Sequence, residues 1–147
     1  MRYLLDTNAC IGLINAQPAL VRARFAEAVK AGAQVLVPAI VVFELWYGVA
    51  KSARPDSNAE KVETFLAGPV RLLAFEEEDA RRAGAVRSVL ELAGKPIGAY
   101  DVLIAGQALC RRLTLVTANA REFRRVKGLV CEDWASTKVR SDGRVGM

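Results

Sequence analysis

The apolar positions of this chain fall into two patterns. Short, almost wholly apolar runs occur at Arg2 to Leu5, Gln34 to Val37, Val70 to Leu73 and Leu113 to Val116. Each is too short for a helix, and three are closed directly by an acid, a proline or a turn residue, so each predicts a buried strand. A fifth strand is expected over Leu129 to Cys131. Between them the apolar residues recur at helical spacing. Helices are expected from Thr7 to about Asn15, from Pro18 to a stop at Ala31-Gly32, and over Ile40 to Ala50. Others cover Ala59 to Leu66, the segment from the acids Glu76-Glu77-Glu78-Asp79 to Leu92, and a short piece holding Glu122-Phe123. Lys51 to Asn58, with Ser52, Arg54, Pro55, Asp56 and Ser57, reads as an exposed loop.

One further helix stands apart. After Pro96 and Gly98 make a turn, Asp101-Val102-Leu103-Ile104-Ala105-Gly106-Gln107-Ala108-Leu109 is apolar or small on every side, which predicts burial. Strands alternating with helices imply an α/β sandwich around a mainly parallel sheet. Sites in such sheets lie at the carboxyl ends of the strands. Asp6 ends the first strand and Asn119 follows the fourth, which puts both on one rim.

Composition narrows the chemistry. The 147 residues are 52% apolar and 25% charged, as in one folded domain rather than a disordered chain. No apolar run reaches spanning length uninterrupted; Glu44 breaks the best candidate, Val35 to Ala50. The start, Met1 to Asp6, turns acidic too early for a signal peptide. Cys10, Cys110 and Cys131 are odd in number and lack metal-ligand spacing, so a reducing cytoplasm is expected. There is no histidine. That excludes Ser-His-Asp and Cys-His catalysis, paired-imidazole ribonuclease chemistry and histidine zinc sites. The net charge of +5 is C-terminal: residues 111–147 carry nine Lys/Arg against four Asp/Glu, whereas residues 1–110 carry twelve of each. A basic surface suits a polyanion, although a solvated face and a basic tail explain it equally well.

Three acids, Asp6, Glu44 and Asp101, sit in apolar settings with no base nearby in sequence. Each has a plain reading; Asp101 in a first helical turn is ordinarily a cap or a partner of the helix dipole. Buried together, such acids must protonate, find distant bases or bind a cation. Mg²⁺ and Mn²⁺ take oxygen ligands and keep several waters, so a few carboxylates suffice. A hydrolytic reaction can then run without histidine.

The ordered set Leu4-Leu5-Asp6-Thr7-Asn8, Phe43-Glu44-Leu45-Trp46-Tyr47-Gly48, Pro96 to Asp101 with Ile104-Ala105-Gly106, and Leu115 to Phe123 resembles PIN-domain proteins, above all the VapC toxins of bacterial toxin–antitoxin pairs. Val126, Gly128-Leu129 and Glu132-Asp133-Trp134 extend the resemblance, which runs from Arg2 to Trp134. It implies a PIN-like three-layer α/β/α sandwich over residues 1–134, followed by a polar tail, 135–147, expected to be mobile. It implies a metal-dependent endoribonuclease acting on structured RNA such as tRNA, with initiator tRNA cut in its anticodon loop as one candidate. By position, Asp6, Glu44 and Asp101 match the family's core acids and would hold Mg²⁺ or Mn²⁺. Asn119 stands where many relatives carry a fourth acid, one carboxylate fewer for a second ion. Thr7, Asn8 and Thr117 would position water or phosphate, or merely serve turns and caps. A VapB-like antitoxin as inhibitor and co-repressor, operator DNA bound through it, and a homodimer within a higher toxin–antitoxin assembly are implied as well, with no membrane association.

By charge alone, Lys51, Arg54, Arg111, Arg112 and Arg121 are RNA-contact candidates. Trp46 and Tyr47 offer base stacking or antitoxin packing, with core burial expected for at least one. Two other functions stay in view. One is a non-catalytic PIN-fold module used for autorepression. The other is a phosphohydrolase or receiver-like domain, but Asp6-Thr7-Asn8 lacks the second aspartate that haloacid-dehalogenase-type phosphatases place two residues on.

Overall fold

The apolar runs form a five-stranded parallel sheet, as expected of strands buried on both faces. A computed structural model describes residues 1–136; the tail expected over 135–147 lies, from residue 137, outside the described residues. In chain order the elements are β1 (Arg2–Leu5), α1 (Thr7–Asn15), α2 (Ala19–Lys30), β2 (Gln34–Pro38), α3 (Ala39–Lys51) and α4 (Pro55–Leu66). There follow β3 (Arg71–Leu73), α5 (Glu77–Leu92), α6 (Ala99–Arg111), β4 (Thr114–Val116), α7 (Ala120–Phe123) and β5 (Cys131–Glu132).

The strand order is β3-β2-β1-β4-β5, with Leu4 of β1 between Leu36 of β2 and Leu115 of β4. The chain steps one way from β1 to β2 to β3, then crosses back to β4 and on to β5. Right-handed crossovers therefore place α1 to α4 on one face and α5 to α7 on the other. The packing of α1 against α2, α3 and α4, and of α5 against α6, agrees with that three-layer division. No helix among the described residues is long and apolar enough to cross a membrane.

Two expectations are corrected. Lys51 to Asn58 is not one loop, because α4 starts at Pro55, whose fixed φ suits the first helical position, with Asp56 in the first turn. Only Ser52 to Arg54 remains outside helix. The last strand is Cys131–Glu132, set by pairing with Leu115 and Val116, rather than Leu129 to Cys131.

The antiparallel pair α5–α6 is closed at two points. Gly106 lies so near α5 that a Cβ there would stand 2.5 Å from the Ala83 Cα. Four residues before Ala83, Asp79 is fully buried and accepts both Nε and Nη2 of Arg111 at 3.0 Å, the Glu76 amide at 2.8 Å and the Gln107 amide at 3.3 Å. Burial opposes ionisation of Asp79, but the Arg111 fork and the Glu76 amide hold its pKa below the ordinary value. The acidic start of α5 is thus structural. Arg111, expected among the RNA contacts, is instead taken up by this pair. Arg112 caps the same end of α6 at φ 56°, roughly 15 Å along the helix from Asp101 at about 1.5 Å per residue. Both charges stand away from the rim that carries the acids.

A paired substitution tests this packing. Gly106→Ala drives a methyl into α5 backbone and should destabilise by about 1–3 kcal/mol or more. Gly84→Ala, in the interior of α5 with open space around it, should stabilise by roughly 0.5–1 kcal/mol. Urea midpoints measure both, and equal shifts would contradict the close approach.

Candidate metal centre

At β1 and β4 the topology reverses: neighbouring parallel strands send their connections to opposite faces. Such a switch point opens a crevice beyond the carboxyl ends of the strands. Asp6 leaves β1 at that point, and its amide donates to the Val116 carbonyl of β4 at 3.1 Å. As N-cap of α1 it accepts the Ala9 amide on Oδ1 at 2.8 Å. The residue is only 6% exposed. Burial raises its pKa above the ordinary carboxylate range against the Thr117 hydroxyl and Ala9 amide, which favour ionisation; Glu44 and Asp133 push it up further.

Glu44 comes from α3, which begins directly after β2. Val41, Leu45 and Val49 bury one stripe of this helix, and Glu44 beside them is left at the rim. The Thr7 hydroxyl donates to Glu44 Oε1 at 2.7 Å. Asp101, in the first turn of α6, is not the cap that its position suggests. The N-cap is Gly98, and the Asp101 carboxyl hydrogen-bonds Glu122 instead. Its pKa is raised to about 6, first by burial, then by the Glu122 charge and hydrogen bond, then by Asp6 and Glu44. Mutual repulsion therefore places Asp6, Glu44 and Asp101 in one electrostatic neighbourhood.

Glu122 was not among the sequence candidates. Three residues after Asn119 and inside a four-residue helix, it reads as a capping-box acid. Its carboxylate instead accepts the Gly98 amide at 3.0 Å and the side-chain amide of Asn119, and it faces Asp101. The backbone amide of Asn119 donates to Thr117 Oγ1 at 2.9 Å. Asn119 thus orients a carboxylate from the next turn. Gly98 leaves room for the pair, since a Cβ there would meet Asp101 Oδ2 at 3.1 Å. Asp133, also missed, contributes through its charge on Asp6 and accepts the Ala135 amide at 2.9 Å. Both Glu122 and Asp133 lie in segments that carry the resemblance, Leu115 to Phe123 and Glu132-Asp133-Trp134, which was the available signal for them.

The other candidates divide by location. Thr7 and Thr117 touch the acids, while Asn8 is exposed on the first turn of α1. Lys51 and Arg54 are exposed at and just after the end of α3, and Arg121 is exposed on α7. Trp46 packs against the core, whereas Tyr47 is 58% exposed. Cys10 is buried beside Asp6; burial and that charge raise its thiol pKa well above the ordinary value and keep it an inert thiol.

Among the described residues, the ion pairs are Arg81–Glu77, Arg87–Glu91 and Arg111–Asp79. None involves Asp6, Glu44, Asp101 or Glu122. Nor, among those residues, do three acids or thiols already stand close enough to hold an ion without adjustment. The donor set is nonetheless suited to a hard divalent ion: carboxylate oxygens, hydroxyls that orient them, and an excess of negative charge with no base to balance it.

Comparison with known proteins agrees with this arrangement. The PIN domain profile matches residues 3–129. The chain is 38% identical over 135 residues, 92% of its length and 99% of the relative's, to the tRNA(fMet)-specific endonuclease VapC of Shigella flexneri. It superposes on the crystal structure of VapBC2 from Rickettsia felis bound to a promoter DNA fragment with a TM-score of 0.85 and 35% identity, covering 91% of this chain and 99% of that one. DNA-bound VapBC from Salmonella typhimurium matches with a TM-score of 0.84 and 37% identity over 91% and 98% of the two chains. The profile spans most of the chain, and the chain belongs to the PIN domain family.

Proposed function

We propose that this chain is the toxin of a toxin–antitoxin pair, an endoribonuclease that hydrolyses phosphodiester bonds in structured RNA with the help of Mg²⁺ or Mn²⁺. The observation that carries the reading is the gathering of Asp6, Glu44 and Asp101, with Glu122, at a sheet switch point without a balancing base. Retention of every core acid argues against a module used for repression alone. The likeness to the Shigella flexneri VapC makes initiator tRNA the first substrate to try, with its anticodon loop as the place of cutting.

Asp6, Glu44 and Asp101 would hold the ion. When bound it lowers the pKa of a water and neutralises charge on the phosphate. The residues around it set geometry and charge. Thr7 fixes one Glu44 oxygen and Thr117 steadies Asp6, so each acid presents its remaining lone pairs inward. Burial and the neighbouring Glu122 carboxylate raise the Asp101 pKa to about 6, so cation binding would compete with protonation of Asp101 below that pH.

An antitoxin has a separate place to dock. A groove of about 810 Å³ between α1, α2 and α4 is lined by Leu13, Phe25, Val29 and Phe65, with Arg22, Lys30, Lys61 and Glu60 at its edges. An apolar antitoxin helix would fill it. A following basic side chain would reach the acids in place of the ion. The likeness to VapBC complexes on promoter DNA supports an antitoxin partner and operator binding through it.

The direct test is to sequence the RNA ends made when antitoxin-free protein meets total RNA with Mg²⁺; one recurrent site in few structured RNAs supports the reading, and no new ends contradict it. Asp101→Asn should abolish cleavage, and in chelator at neutral pH it should melt higher than the parent because it relieves repulsion. Mg²⁺ should raise the parent's melting temperature and scarcely move the variant's. A lower melt with a parental Mg²⁺ response would make Asp101 a structural residue.

Acidity supplies an independent check. The folded pKa of Asp101 is raised to about 6 from an ordinary 3.8, so the folded state binds the proton more tightly than the unfolded state. The cost of the charge, from burial first and repulsion second, is then fully present well above pH 6 and is relieved as pH falls through about 6 toward about 4. In chelator, the parent should gain stability across that fall and Asp101→Asn should gain less. Glu122→Gln should lower the Asp101 pKa toward its ordinary value and weaken Mg²⁺ binding; an unchanged Mg²⁺ titration would remove Glu122 from the site.

A further inference from the structure

Beside the acids is a feature that neither the cation nor the antitoxin groove uses. Phe43, Tyr47 and Tyr100 are 53%, 58% and 48% exposed, unusual for three aromatic side chains on one rim. Phe43 and Tyr47 lie four residues apart on α3 with Glu44 between them in sequence, so they share the side of the helix next to Glu44. Tyr100 precedes Asp101 on α6, and its ring meets Phe43 edge-on at 5.8 Å between centroids. One turn past Tyr47, the Lys51 ammonium stands 4.8 Å over the Tyr47 ring.

Resting on the nuclease reading above, we propose that Phe43, Tyr47 and Tyr100 form a stacking platform for an unpaired RNA base next to the scissile phosphate. Lys51 would hold the adjoining phosphate. The occupant is argued from chemistry on both sides of the acids. What separates this rim from the α2–α4 groove, which also holds two phenylalanines and cations, is its place beside Glu44 and Asp101, where a base next to the scissile phosphate must lie. This rim offers π faces with a cation at one end, and across the acids α7 carries exposed Arg121 with Arg124 next to it. Aromatic rings beside cations are what a single strand recognises, because every base has a stackable face and every linkage a charge. Duplex bases are already stacked and cannot use the rings. The platform therefore selects a loop or an unpaired end, and the three residues position the strand rather than react with it.

The test uses the full-length protein in chelator, where RNA binds without being cut. The probe is a short single-stranded RNA with a fluorescent adenine analogue at successive positions, compared with a duplex of the same sequence. Emission should be quenched at one or two positions. Phe43→Leu with Tyr100→Leu should weaken single-strand binding about ten- to a hundredfold and leave duplex binding unchanged. Phe43→Trp with Tyr100→Phe should restore it. In Mg²⁺ the leucine variant should raise KM with kcat changed far less, and its melting temperature should match the parent's. Parental cleavage with unquenched emission, or leucine variants that bind the single strand as the parent does, would overturn the platform while leaving the nuclease standing. Leucine variants that instead lose dimerisation or antitoxin binding, with RNA binding intact, would assign the surface to protein and overturn it too. If the parent cuts no RNA, the reading beneath the platform fails first.

Discussion

Negative charge placed in a low-dielectric crevice without a counter-charge governs this structure. Burying a carboxylate is unfavourable unless hydrogen bonds or a cation offset the lost hydration. Here Asp6 and Asp101 have raised pKa values, and repulsion among Asp6, Glu44, Asp101 and Glu122 contributes to them. The contrast with Asp79 is instructive. That acid is buried just as thoroughly, but Arg111 and two amides satisfy it and its pKa falls. One buried carboxylate is neutralised from within the fold; the others are left for something from outside.

The fold makes that arrangement possible. A parallel sheet with a reversal between β1 and β4 opens a crevice at one rim, and the N-termini of α1 and α6 bring Asp6 and Asp101 to it. Rigidity comes from the far side, where Gly106 seats α6 on α5 and the Asp79–Arg111 pair ties its last turn. Positioning and tolerance of repulsion are thus separated along one helix: its far end is locked, and its near end carries the uncompensated charge.

Much of this was legible in the sequence. The four strands flanking the core follow from short apolar runs; apolar settings singled out Asp6, Glu44 and Asp101, but only the family resemblance implied that they meet. What the sequence did not show has physical reasons. Pro55 looked like a loop residue, although proline at a first helical position initiates a helix. Arg111 and Arg112 were read by charge, which carries no information about which end of α6 faces the crevice. Glu122 was hidden because its spacing from Asn119 imitates a helix cap, and only the tertiary approach of Gly98 and Asp101 turns its carboxylate elsewhere. Trp46 and Tyr47, adjacent in sequence, part company because one faces the core and the other the rim.

The central claim is that these carboxylates exist to share one cation. Anomalous diffraction from crystals grown with Mn²⁺ and free of antitoxin tests it most directly. The account predicts a strong peak bounded by the carboxylates of Asp6, Glu44 and Asp101. No peak at that rim in fully loaded crystals, or a peak held elsewhere on the molecule, would contradict it.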